Sequence, residues 1–215
     1  MIVRRAASAA RCAACCVAIL LLSAPADAQQ DRPLGPYVVD FRGVFARHKQ
    51  EAVVATDLGV PATNLPTRSF GLSGGAHFYP WRTNRITLGI GAHVAFARGS
   101  RTLDTAGSAT VQRHFKVFAP ELSFNFGHRN GWSYISGGIG RSTLFVDRTD
   151  HPVSDAQGRR ALHYGGGARW FTNHHVAVSF DFRWYSVAAQ ASSATGGVAQ
   201  PRTTLLLLSG GIALR

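Results

Sequence analysis

Beyond residue 16 the chain has no cysteine; Cys12, Cys15 and Cys16 are the three it carries. Its one methionine is Met1, and its only lysines are Lys49 and Lys116, so the positive charge is almost wholly arginine. Charged residues are 16% of the 215, against roughly 25% in soluble domains. After the N-terminus no run of about 18 apolar residues occurs. Each scarcity excludes a class. A disulfide-stapled secreted scaffold needs cysteines in its mature part. A bundle of membrane helices needs long apolar runs. Disorder needs few apolar residues, and here they are 46%. What is plentiful is glycine, 23 residues, beside a mean hydropathy of +0.01. The apolar residues are numerous but never contiguous.

The N-terminus reads as a cleaved secretory signal over residues 1–28. Arg4, Arg5 and Arg11 make a basic head, Cys12 to Ser23 an apolar core, and Ala26-Asp27-Ala28 a small-x-small cleavage site. Residues 29–215 then form one domain with a net charge of +10.

Within that domain the dominant pattern is alternation with period 2. Phe70, Leu72, Gly74, Ala76 and Phe78 share one face, with Gly71, Ser73, Gly75 and His77 opposite. Ile86 to Phe96 and Val176 to Trp184 alternate in the same way. Such runs are strands with one polar face. Eight are expected, over 36–47, 67–80, 85–97, 111–126, 132–146, 160–171, 175–188 and 203–214. They exceed the usual globular strand of about 5–6 residues and suit a tilted strand crossing a bilayer, about 9–11. Connections alternate too. Tight turns fall at Trp81–Asn84, His128–Asn130 and Thr172–His174; long connections cover 48–66, 98–110, 147–159 and 189–202. An even strand count with short turns at one end and long loops at the other predicts an all-β, eight-stranded antiparallel up-and-down transmembrane barrel.

Polarity then assigns the faces. Charges sit in mid-strand at Asp40, Arg42, Glu121, Arg141, Arg169, Asp181 and Arg183. A narrow barrel lumen can hold such charges if they pair. Aromatic residues cluster at strand ends: Tyr37, Phe78, Trp81, Phe126, Trp132 and Trp170 near the short turns, and Phe45, Phe70, Phe96, Tyr164 and Trp184 toward the long loops. Two belts of this kind match the headgroup zones of a membrane. A second basic set, Arg98, Arg101, Arg113, Lys116, Arg159 and Arg160, lies near the long loops. It reads as a rim facing lipid and lipopolysaccharide phosphates, which guanidinium groups bind well. Export and a barrel argue against nucleic acid as the partner of this charge.

Other chemistry finds little support. His77, His93 and His163 share the inner face but stand at different levels, and His174-His175 has no partner at ligand spacing. No cofactor motif, metal set or catalytic nucleophile with a base emerges, and no enzyme is expected.

The alternating stretches SFGLSGGAHFYP, RITLGIGAHVAF, WSYISGGIG and LHYGGGARWF resemble the small eight-stranded outer-membrane β-barrel proteins of Gram-negative bacteria, the OmpA/OmpX-like type. The resemblance runs from about Tyr37 to the end. It implies an outer-membrane location, both mature termini in the periplasm, and insertion by the barrel-assembly machinery. The family's last strand commonly ends in phenylalanine; here Leu214 and Arg215 stand there. The role expected is non-enzymatic, in membrane integrity or in binding an unnamed ligand at the surface loops. A narrow channel gated by the lumen charges and a lipid A-modifying enzyme are the alternatives. A monomer is expected, since a closed barrel leaves no free edge.

Overall fold

A computed structural model describes residues 35–82, 86–103, 109–128, 131–150, 157–190 and 200–215. The expected signal over 1–28 lies outside the described residues. Eight strands are present: β1 Tyr37–His48, β2 Arg68–Arg82, β3 Ile86–Thr102, β4 Thr110–His128, β5 Gly131–Arg148, β6 Arg159–Phe171, β7 Val176–Val187 and β8 Thr203–Leu214. They pair antiparallel in sequence order and close as a barrel. Closure runs from Val39 opposite Leu214 to His48 opposite Leu205.

Strands β3, β4 and β5 are longer than their periodicity suggests, at 17, 19 and 18 residues. Their pairing continues through Ser100 opposite Gln112 and Gln112 opposite Asp147. These polar positions hide the strand from a hydrophobic pattern. The three strands stand up at the long-loop end as a wall. The first loop folds against that wall with a six-residue helix, α1 (Ala52–Asp57). Val54, Ala55, Val60 and Leu65 bury themselves on Leu103, Val111 and Val146. A helix this short leaves almost no period to read, so the sequence shows only a connection there.

The pleat sends alternate residues to opposite faces. Outward stand Phe41, Leu72, Ile90, Phe124, Ile135, Leu162, Phe180 and Leu208, one per strand and each between 45% and 70% exposed. An apolar surface continuous around all eight strands belongs in lipid rather than water. Tyr37, Phe78, Trp81, Phe126 and Trp170 point outward at the short-turn end. Phe70, Phe96, Phe118, Tyr164 and Trp184 do so toward the long loops. Trp132 departs from the expected belt. It shares the inward face with Tyr134 and is 7% exposed, closing the lumen floor instead.

Candidate functional site

The lumen is built in layers. At the short-turn end Val38, Tyr79, Trp132, Phe171, Ala177 and Ala213 form an apolar floor. Toward the long loops a larger apolar layer includes Val44, Phe115, Val117, Leu144, Tyr185 and Leu207. Between the two lies a charged layer.

Six of the seven expected lumen charges meet there, all buried: Asp40, Arg42, Glu121, Arg169, Asp181 and Arg183. Arg169 grips Asp40 with two parallel bonds, Nε to Oδ1 at 2.9 Å and Nη2 to Oδ2 at 2.6 Å. Arg42 Nη2 reaches Asp40 Oδ1 at 2.5 Å. Its Nε donates to Ser179 Oγ at 2.7 Å, and its Nη2 to the Tyr134 hydroxyl at 3.1 Å. Tyr134 in turn donates to Asp181 Oδ2 at 2.6 Å. Arg183 Nε donates to Asp181 Oδ1 at 2.8 Å, and both of its Nη atoms donate to Glu121. His77 Nε2 lies 2.8 Å from Glu121 Oε1.

The result is one continuous chain with three carboxylates against three guanidiniums. Arg169 also stacks on one aromatic face, its guanidinium 4.3 Å from the centroid of the Tyr134 ring. Fork-to-carboxylate pairs of this type are geometrically specific and charge-assisted. Burial without such pairing would cost several kcal/mol per ion. Glycine makes the room. Gly91 stands opposite His77 in the β2–β3 register. A Cβ there would lie 2.2 Å from the Ala76 carbonyl oxygen and 2.7 Å from the His77 ring.

Arg141, the seventh expected lumen charge, is not part of this layer. It points outward, opposite Phe118 and Arg160 in the register. Strand β5 passes through Gly137, Gly138 and Gly140 just before it, and glycines carry no face information. The sequence also missed Tyr134, the hinge of the network, although its parity with Trp132 and Ser136 puts it inside.

The expected basic rim divides in two. Arg98, Lys116 and Arg160 point outward and are exposed, and Arg101 is exposed at the top of β3. Arg113 and Arg159 turn inward and are 1% and 5% exposed. They are not rim residues. The reason is the apolar layer inside the lumen: near the top of β4 Val111, Phe115 and Val117 face inward while Gln112, His114 and Lys116 face outward, so the polarity of the two faces is reversed there.

A pattern absent from the sequence reading replaces that rim. Arg47, Arg68, Arg98, Lys116, Arg141 and Arg160 all face outward on β1 to β6. Each lies two residues from an outward apolar side chain: Phe45, Phe70, Phe96, Phe118, Ile139 and Leu162, respectively. One step along the same face takes each strand from lipid-facing residue to cation. Strands β7 and β8 break the girdle, with Ser186 and Thr204 at the equivalent register positions. The cue was the recurrent two-residue step between a basic and an apolar side chain, the latter aromatic in four of the six pairs.

Histidines do not gather as ligands. His93 Nδ1 lies 2.9 Å from the Tyr185 hydroxyl, and His163 Nδ1 is 3.9 Å from Glu121 Oε2. Among the described residues no group of three potential ligands could hold a metal ion.

Comparison with known proteins places this architecture. Residues 14–200 match the model of the outer membrane protein beta-barrel domain. No curated protein sequence matches the chain. Among solved structures the fold is similar to Neisserial surface protein A, with 12% identity, 85% of this chain and 99% of that chain covered, and a TM-score of 0.51. It is also similar to Ail of Yersinia pestis in complex with the heparin analogue sucrose octasulfate, at 11% identity, 82% and 97% coverage and a TM-score of 0.49. The outer membrane enzyme PagL follows at 15% identity, 83% and 99% coverage and a TM-score of 0.46. At these identities the likeness concerns the fold alone.

Proposed function

The chain belongs to the outer membrane protein beta-barrel domain family, and from that premise we propose a non-enzymatic envelope role: a plugged barrel that anchors anionic lipid around its outward basic girdle and presents its long loops to the exterior. In this family short turns face the periplasm and long loops the outside. The girdle then lies at the outer-leaflet headgroups, where lipopolysaccharide carries its phosphates.

The observation that carries this reading is the register of the six cations. Each sits one same-face step beyond the apolar lipid face, so the ring of charge follows the membrane boundary. Guanidinium and ammonium groups at that level offer charge-assisted hydrogen bonds to phosphate oxygens. The lumen supports the non-channel half of the reading, because three buried acid–arginine groupings lie between two apolar layers.

The test is reconstitution of the refolded chain into vesicles with and without lipopolysaccharide. The wild type is expected to unfold at higher temperature with lipopolysaccharide. A variant carrying glutamine at Arg47, Arg68, Arg98, Lys116, Arg141 and Arg160 is expected to lose that gain. Equal stabilisation of both proteins contradicts the reading.

A further inference from the structure

Above the balanced network the lumen holds a second group of buried charges, and this one is not balanced. Arg113 enters from β4 and Arg159 from β6, flanking β5. Arg113 stands opposite Val146 on β5, and Arg159 Nη2 donates to the Leu144 carbonyl on the same strand at 3.0 Å. The two arginines therefore enter the lumen from either side of β5, at the level of its adjoining inward residues Leu144 and Val146.

Their protein partners are neutral. Arg113 Nη1 donates to the Lys49 carbonyl at 3.1 Å, and Arg159 Nη1 to the Ala188 carbonyl at 3.2 Å. Neither arginine forms an ion pair among the described residues. Arg113 Nε and Nη2, Arg159 Nε, His48 Nδ1 and Ser142 Oγ are all buried without a hydrogen-bond partner. Ser142 is the register partner of Arg159. One acid, Glu51 at the start of the first loop, acts electrostatically on both arginines, and its own Oε1 is buried without a hydrogen-bond partner.

Two buried cations facing one carboxylate leave a positive surplus. An uncompensated buried charge is costly, and such a site favours a counter-ion. Free N–H groups on two forks, with a nearby hydroxyl and imidazole, match the several acceptor oxygens of a tetrahedral oxyanion better than a halide. Near-complete burial of both side chains excludes a polymer or a lipid headgroup, whose phosphates meet the outward girdle instead.

We propose that the outer mouth of the lumen binds a small inorganic oxyanion of the phosphate type between Arg113 and Arg159, with Glu51 as an internal competitor for the same donors. Because Arg113 also holds the Lys49 carbonyl, the bound anion fixes the group that fastens the first loop to the barrel wall.

The experiment titrates inorganic phosphate into the full refolded chain in neutral detergent, against chloride at equal ionic strength. Calorimetry and the thermal unfolding midpoint are the readouts. Wild type is expected to bind phosphate saturably and to unfold at higher temperature as it does. Arg113→Gln and Arg159→Gln are each expected to weaken binding by roughly tenfold or more, the loss of a charge-assisted hydrogen bond. Glu51→Gln is expected to tighten it, and this variant keeps the proposal exposed should an arginine variant fail to fold. Arg215→Gln, at the short-turn end where its Nε donates to the His174 carbonyl, leaves phosphate binding unchanged. Phosphate no better than chloride, or a Glu51→Gln protein with weaker or equal binding, overturns the proposal. A parallel titration with lipopolysaccharide separates the sites: it follows the girdle residues and ignores Arg113 and Arg159.

Discussion

The middle of the lumen and its mouth hold the same residue types in opposite states. In the middle, Arg42, Arg169 and Arg183 each contact a carboxylate, and the hydrogen bonds run unbroken from Asp40 through Tyr134 to Glu121. At the mouth, Arg113 and Arg159 hydrogen-bond only to carbonyls among the described residues, and several of their N–H groups have no hydrogen-bond partner. Both regions are buried, so burial does not distinguish them. Charge balance does. A balanced buried network is finished and acts as structure, whereas an unbalanced one is completed by something from outside.

The contrast can be broken from either side. The largest effect is expected for Arg183→Met, which leaves three buried carboxylates, Asp40, Glu121 and Asp181, against two guanidiniums. Removing one partner of a buried pair costs about 3–5 kcal/mol, to be read from urea unfolding of the full chain in lipid vesicles. Tyr134→Phe should cost less, about 1–3 kcal/mol, since it removes one hydroxyl that bridges Arg42 and Asp181. The same unfolding measurement checks it. At the mouth the sign should reverse. Arg113→Met removes a cation with no paired acid, so in chloride buffer without phosphate the variant should be at least as stable as wild type and up to about 1 kcal/mol more stable. A loss comparable to that of Arg183→Met would erase the distinction between the two regions. The smallest effect is expected outside the barrel: Arg141→Gln should change stability by no more than about 0.5 kcal/mol in detergent, with its consequence visible only when lipopolysaccharide is present.

Much of the fold was legible because period 2 is a strong pattern over long strands. Each of the eight expected spans overlaps an observed strand, and Asp40, Arg42, Glu121, Arg169, Asp181 and Arg183 lie on the face that alternation assigns to them. Reading weakened where one assumption failed, that the lumen is polar throughout. Phe115, Val117, Leu205 and Leu207 face inward above the charges. There the inward face is the apolar one, as on β4 where Gln112, His114 and Lys116 face outward, and Arg113 and Arg159 could be placed on the wrong side. Arg141 was misplaced for a different reason, a glycine run that carries no facing information. The polar tops of β3, β4 and β5 and the short helix of the first loop were invisible because neither presents an apolar period. The girdle could have been read, had the spacing between each basic residue and its apolar neighbour been compared across strands.

The central claim is that a charge-balanced layer between two apolar layers closes this barrel. Planar-bilayer recording of the refolded wild-type chain tests it most directly. The account predicts a silent membrane, with no stepwise single-channel currents at neutral pH. Discrete conductance steps from the wild type, lost when the protein is heat-unfolded before insertion, would contradict it.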